Sequence, residues 1–315
     1  MHKSPETLFI GIDVAKDEIV IARADQPAVQ SVENTQRALK TWVATLPQQS
    51  AVLMESTGRY HQLIATLLHT AGHTVYLVNG LKLSQYRKSV GQRAKTDPSD
   101  AKLLLRYLQH EYAALSPWQP APENISTIRT LLKRRSEVIK HTVALRQSFS
   151  DVPQIDTQEV IASLKATVLK LDRLIQDLIQ QEDIAHAAKR CKQITGVGPL
   201  TSAALTATYF SGHFTRVDAF IAFIGLDLLA NDSGRKSGRR RLSKQGDPEM
   251  RRLLHNAAMS ASRVGRWKQY YERYLERGFE RTQALVILAR KIARVAFGLL
   301  RTGRDYDETT LFGPV

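Results

Sequence analysis

The sequence predicts an α/β domain followed by a mostly α-helical remainder, and three observations carry that expectation. Short apolar runs with strand character alternate with helical periodicities up to residue 112. Three prolines between Pro117 and Pro122 then interrupt the chain. Beyond them apolar residues recur mainly at helical intervals of three and four.

The elements follow in order. Residues 7–14 read as a buried strand, and 18–24 and 28–32 as two more, separated by short turns at Lys16-Asp17 and Gln26-Pro27. Leu39, Trp42, Val43 and Leu46 have helical spacing within 35–46; 51–54 is a short strand, and 60–70 a helix ended by Gly72. A fifth strand covers 74–78, followed by helices over 82–88 and 98–112, the second starting with Asp97 as cap and Pro98 at its first position. The order βββαβαβαα is that of a ribonuclease H-like (RuvC-like) mixed sheet, whose first three strands are antiparallel and whose later ones arrive through helical crossovers.

After the proline-rich linker, 124–149 reads as a long basic helix, and 157–190 carries Ile161, Leu164, Val168, Leu171, Ile175 and Leu178 as a coiled-coil seam. These helices suit either an antiparallel hairpin or pairing with a second chain. From Gln193 the chain is helical again, with glycine-rich interruptions at 195–199 and 231–238 and an amphipathic helix over 282–300. The expected domains are 1–115 (catalytic, RuvC-like), 116–192 (linker and coiled coil) and 193–315 (C-terminal, helical).

Of the 315 residues, 45 are Lys or Arg and 30 Asp or Glu, giving a formal charge of +15. Positive charge thickens at 86–95, 133–146 and 235–244, which makes a polyanion the natural partner. No apolar run approaches the ~18 residues of a membrane span, and no secretory signal opens the chain. The expectation is a cytoplasmic protein associated with the nucleoid, without a membrane partner. The single cysteine, Cys191, lacks the neighbours of a zinc site and reads as core filler.

Asp13 interrupts an apolar strand, Glu55 directly follows another, and Asp97 and Asp100 share the first turn of the helix closing the domain. Adjacent first and fourth strands would bring Asp13 beside Glu55, and spacing of three directs Asp97 and Asp100 to one face. On their own, Asp97 and Asp100 are also what a helix start uses, a cap and a favourable charge. A carboxylate in a buried strand is costly without compensation. Together the four suit Mg²⁺ or Mn²⁺, two such ions about 3.5–4 Å apart clamping an in-line phosphoryl transfer. An early Gly-Ile-Asp strand also opens actin-like and sugar kinases, but their small, hydroxyl- and glycine-rich phosphate turn is replaced here by Val14-Ala15-Lys16-Asp17.

The segments GIDVAKD, MESTGRY and QRAKTDPSDAKLL resemble the DEDD transposases of the IS110 family. ITGVGPLTSAALTA, FIAFIGLDLL, NDSGRKSGRRRLSKQGD and PEMRRLLHNAA resemble that family's C-terminal domain, departing at Leu228-Leu229 where its pattern has a proline. The resemblance implies a DNA recombinase that uses the carboxylates together with a serine, matched best by Ser233, and is guided by a noncoding (bridge) RNA. Such a serine forms a phosphoserine link to DNA; Ser237 and Ser243 are rivals. Arg93, Lys95, Arg235, Lys236, Arg239, Arg240, Arg241 and Lys244 are the candidate phosphate contacts. The turn at 195–199 resembles a helix-hairpin-helix whose Gly196 and Gly198 let backbone N–H groups approach a phosphate, or is an ordinary tight turn. Strand exchange implies a homo-oligomer, a dimer or tetramer. Two other readings stand beside this one. A structure-selective nuclease of the same fold would need the four carboxylates but use water in place of the serine, and a non-catalytic nucleic-acid-binding protein would need neither the carboxylates nor the serine.

Overall fold

The structure, a computed structural model, describes residues 7–47, 49–56, 58, 60–92, 96–229 and 240–312. The chain forms two compact units, Met1–Pro120 and Ala121–Val315.

In the first unit, β1 (Phe9–Val14), β2 (Glu18–Arg23) and β3 (Gln30–Glu33) are followed by α1 (Gln36–Val43), β4 (Ala51–Glu55), α2 (His61–Thr70), β5 (Thr74–Val78), α3 (Gly80–Ser89) and α4 (Asp97–Glu111). The sheet order is β3-β2-β1-β4-β5. Pairing is antiparallel among the first three strands and parallel for β1 with β4 and β4 with β5. This is the ribonuclease H-like mixed sheet that the element order predicts. Alternation of side chains along each strand sorts the sheet into two faces. Ile10, Ile12, Val52, Met54 and Val75 face α1 and α2, where Leu39, Trp42, Ile64 and Leu68 meet them. Ala51, Leu53, Tyr76 and Val78 face the other way, against Leu83, Leu103, Leu104 and Leu108.

Helix α4 begins one residue earlier than its proline suggests. Thr96, not Asp97, is the N-cap, because the Thr96 hydroxyl accepts from the Ser99 N–H while Ser99 Oγ accepts from the Thr96 N–H at 2.9 Å. This reciprocal box moves Asp97 into the first turn ahead of Pro98. The proline-rich stretch also stays with the first unit as far as Trp118, whose N–H donates to Val75 O at 2.7 Å and whose ring meets His69 edge-on.

The second unit holds α5 (Glu123–Ser148), α6 (Gln158–Ile179), α7 (Glu182–Gln193), α8 (Pro199–Phe210), α9 (Val217–Phe223), a ribbon of β6 (Leu228–Leu229) with β7 (Arg241–Leu242), α10 (Pro248–Ala261), α11 (Gly265–Glu276), α12 (Arg281–Thr302) and α13 (Glu308–Phe312). Helices α5 and α6 form a hairpin within the chain. Asn124 bonds Gln181 near its base and Arg135 clasps Asp172 further out, a register in which one number rises as the other falls. The helical stretch expected over 157–190 is broken at Gln180-Gln181. Gln181 is extended (φ −63°, ψ 137°), and the turn it makes carries Ile184, Ala187, Ala188 and Cys191 into the core, which one straight helix would not do. That core continues through Phe220, Leu254, Trp267, Ile292 and Phe297. Cys191 is fully buried, and burial pushes its thiol up to about 12, as expected of filler. Among the described residues no helix is long and apolar enough to cross a membrane.

Candidate active site

Register puts the first two carboxylates together. Ile12 pairs with Met54 across β1 and β4, so one further step sets Asp13 beside Glu55. Both lie on the α4 face of the sheet, opposite to Ile12 and Met54. Gly11, two residues before Asp13 on that face, allows α4 to come in. A Cβ there would stand 2.4 Å from Ala101 O and 2.3 Å from Leu105 N. The helix backbone therefore rests on the strand, and its first turn delivers Asp97, exposed, and Asp100, buried, to the strand ends. Both acids also favour the helix N-terminus.

Asp13 lies in the field of the other three acids. Asp13 is pushed up to about 6, chiefly by burial, then by the charges of Asp100, Asp97 and Glu55. A cation of the chain itself already stands among them. Arg87, in the last turn of α3, donates through Nη1 to Asp100 Oδ1 at 2.6 Å, and both side chains are largely buried. The pairing holds the guanidinium more firmly protonated, with Glu55 and Asp13 adding to the effect. The donor set is chemically right for a hard divalent cation, being all carboxylate oxygen. In the arrangement described, no three of the described His, Cys, Asp or Glu side chains converge closely enough to hold one. Arg87 belongs to the basic stretch 86–95 that the sequence assigns to a polyanion. A cation in the last turn of one helix, just ahead of an acidic first turn in the next, was the available signal.

In the second unit, Ser233, Ser237, Arg235, Lys236 and Arg239 lie outside the described residues, as do Arg93 and Lys95 in the first. Arg240, Arg241 and Lys244 are exposed. Lys244 takes the left-handed conformation (φ 54°) that non-glycine residues rarely adopt. Ser243 is half-buried and committed, its hydroxyl donating to Asp227 and accepting from the Gln245 N–H. The two glycines of the 195–199 turn differ. Gly196 (φ 86°) backs onto α10, where a Cβ would meet Ala257 O at 2.3 Å, so packing alone requires it. Gly198 caps α8 and has open space around it.

The sheet order with acids at the ends of β1 and β4 defines a ribonuclease H-like domain. Two transposase family profiles match the chain: the DEDD transposase profile of IS110 elements over residues 10–152, and that of the IS116/IS110/IS902 family over 188–272. The chain belongs to the IS110 family of transposases. It is 27% identical to the pilin gene-inverting protein of Moraxella bovis, across 95% of this chain and 98% of that one. It is 24% identical to the transposase for insertion sequence element IS1111A of Coxiella burnetii, across 95% and 91%. A Thermus thermophilus RuvC structure aligns with 35% of this chain and 99% of its own at 11% identity, with a TM-score of 0.26. At that score the fold assignment rests on the strand order, not on the match.

Proposed function

We propose that this chain is a DNA recombinase in which Asp13, Glu55, Asp97 and Asp100 form the metal-binding acid site and Ser233 is the nucleophile. The observation that carries this reading is the placement of the four acids where β1, β4 and α4 meet, by strand register and by the first turn of α4, in a member of a transposase family. Divalent cations, when bound, would neutralise the carboxylates and stabilise charge developing at a phosphodiester. The chain's own contribution is position: Asp13 and Glu55 fixed by strand register, Asp97 and Asp100 by the capping box. Ser233 Oγ would attack phosphorus as its proton passes to solvent, and one bridging oxygen would leave with the electron pair of the broken P–O bond and take up a proton from solvent, ending as a free hydroxyl. The strand then stays linked to the serine until a hydroxyl of another strand reverses the step, conserving the phosphodiester for rejoining. Ser243, whose hydroxyl donates to Asp227, is a rival that the trapping experiment separates.

In this reading residues 1–115 supply the acids, 116–192 the spacing hairpin, and 193–315 the serine and the phosphate contacts. Arg93, Lys95, Arg235, Lys236, Arg239, Arg240, Arg241 and Lys244, with the N–H groups at Gly196 and Gly198, would bind phosphates. Donor and target DNA are the substrates, a noncoding bridge RNA the guide and Mg²⁺ or Mn²⁺ the cofactor. A dimer or tetramer is the working assembly, since exchange between two duplexes needs more than one active site.

Trapping on a nicked suicide substrate tests the serine. The parent protein should retain covalently bound DNA after denaturation, and Ser233→Ala should not, while Ser237→Ala and Ser243→Ala should. Normal cleavage without any adduct would make the chain a water-using nuclease instead.

A further inference from the structure

Resting on the proposed metal-binding role of the four acids, the geometry points to Arg87 as an internal competitor for the cation: its guanidinium pairs with Asp100 and gives up that carboxylate when a divalent ion binds. The 2.6 Å contact engages Asp100 Oδ1, which also accepts from the Ser99 hydroxyl at 3.2 Å, so this oxygen is already fully used. An exchange of this kind has a clear electrostatic basis. Four acids in one corner repel one another, and a largely buried carboxylate without a partner is expensive, so a cation beside them is favoured. Arg87 supplies it, with its side chain only 15% exposed and that of Asp100 12%. Glu55 and Asp13 also favour its charge, so the guanidinium sits in the field of three of the four acids.

The pair is separable from the docking of α3 on α4. Tyr86, the preceding residue, has its hydroxyl at 3.1 Å from His110 Nδ1 and its ring edge-on to Tyr107, while Gln92 Nε2 donates to Ser99 O at 3.2 Å. These contacts hold the two helices without drawing on the acids. The docking of α3 on α4 therefore does not depend on the Arg87–Asp100 pair alone. It is a positioning residue for the acid site, keeping the acids assembled until the ion takes over.

The test is Mn²⁺ binding to the full-length chain without nucleic acid, read by electron paramagnetic resonance of free Mn²⁺. Removing a fixed positive charge a few ångströms from the ligands should tighten binding about tenfold in Arg87→Gln, a figure discounted for partial exposure. Arg87→Lys, which keeps the charge, should stay near the parent, and Tyr86→Phe, which weakens docking alone, should leave affinity unchanged. A folded Arg87→Gln that binds Mn²⁺ no more tightly than the parent would overturn the inference. Should Arg87→Gln not fold, the parent decides: the Arg87 Nε–H resonance, assigned by its absence in Arg87→Lys, should shift on saturation with Mg²⁺, and an unmoved signal rejects the exchange. Mn²⁺ binding abolished by Glu55→Gln upholds the acid site whatever Arg87 does. Absence of Mn²⁺ binding from the parent and every variant removes the metal reading itself, and the inference with it.

Discussion

Gly11 shows how a residue without functional groups sets the geometry of those that have them. Because the main chain of α4 lies where its Cβ would be, Gly11→Ala must push the helix outward or strain the strand. Overpacking of this kind costs about 1–3 kcal/mol, and backbone on the receiving side argues for the upper end. Urea unfolding should register the loss, and Mg²⁺-dependent cleavage should fall as Asp97 and Asp100 move from Asp13. Gly80→Ala is the informative contrast in stability: its Cβ would meet the end of the Glu55 side chain, at 2.5 Å, so the strain falls on a proposed metal ligand rather than on helix backbone. A Gly11→Ala protein as stable as the parent would mean that α4 is not seated as described. At this scale the sequence was partly legible. Asp13 stood out as a charge within a buried strand, whereas Gly11 read as one more glycine, and Arg87 was hidden in a run of cations whose charges look alike until their neighbours are known.

Among the elements, strands were the easier to read. Their period of two sorts side chains onto the two faces, and β1 and β4 lie adjacent as the order of strands and helices required. The hairpin of α5 and α6 was less so, because an apolar seam at intervals of three and four serves a partner within the chain or outside it equally well; the Arg135–Asp172 and Asn124–Gln181 pairs decide for the former. The start of α4 slipped by one residue because Thr96, Asp97 and Ser99 are all good capping types, and only the reciprocal Thr96–Ser99 bonds choose among them. A prediction belongs to the β6–β7 ribbon. Arg241 lies on β7 and is exposed, with Arg240 beside it. If these and Arg239 bind duplex phosphates, replacing all three with Ala should reduce the slope of log affinity against log salt by about 0.9 for each phosphate no longer neutralised. Binding measured between low and moderate salt with an unchanged slope would make them a solvated face.

Across the whole molecule, charge and chemistry are carried by different sets of residues, and this separation is testable. The excess of positive charge, 45 basic against 30 acidic residues, favours binding of a polyanion, while the four acids of the candidate site in the first unit oppose it. Asp13→Ala changes the formal charge from +15 to +16, and Glu55→Ala does the same. Neither should weaken binding to DNA or RNA, since phosphate contacts by Lys and Arg supply most of the affinity. Each removes one of the carboxylates that the proposed metal chemistry needs, so cleavage should fall to background with Mg²⁺ or Mn²⁺. Gel-shift titration alongside a cleavage assay on the same preparations separates the two effects. Full cleavage by either variant would remove that residue from the acid site. A parallel loss of binding and cleavage would mean instead that the acids act through the fold of the first unit, which thermal unfolding of the two variants would then reveal.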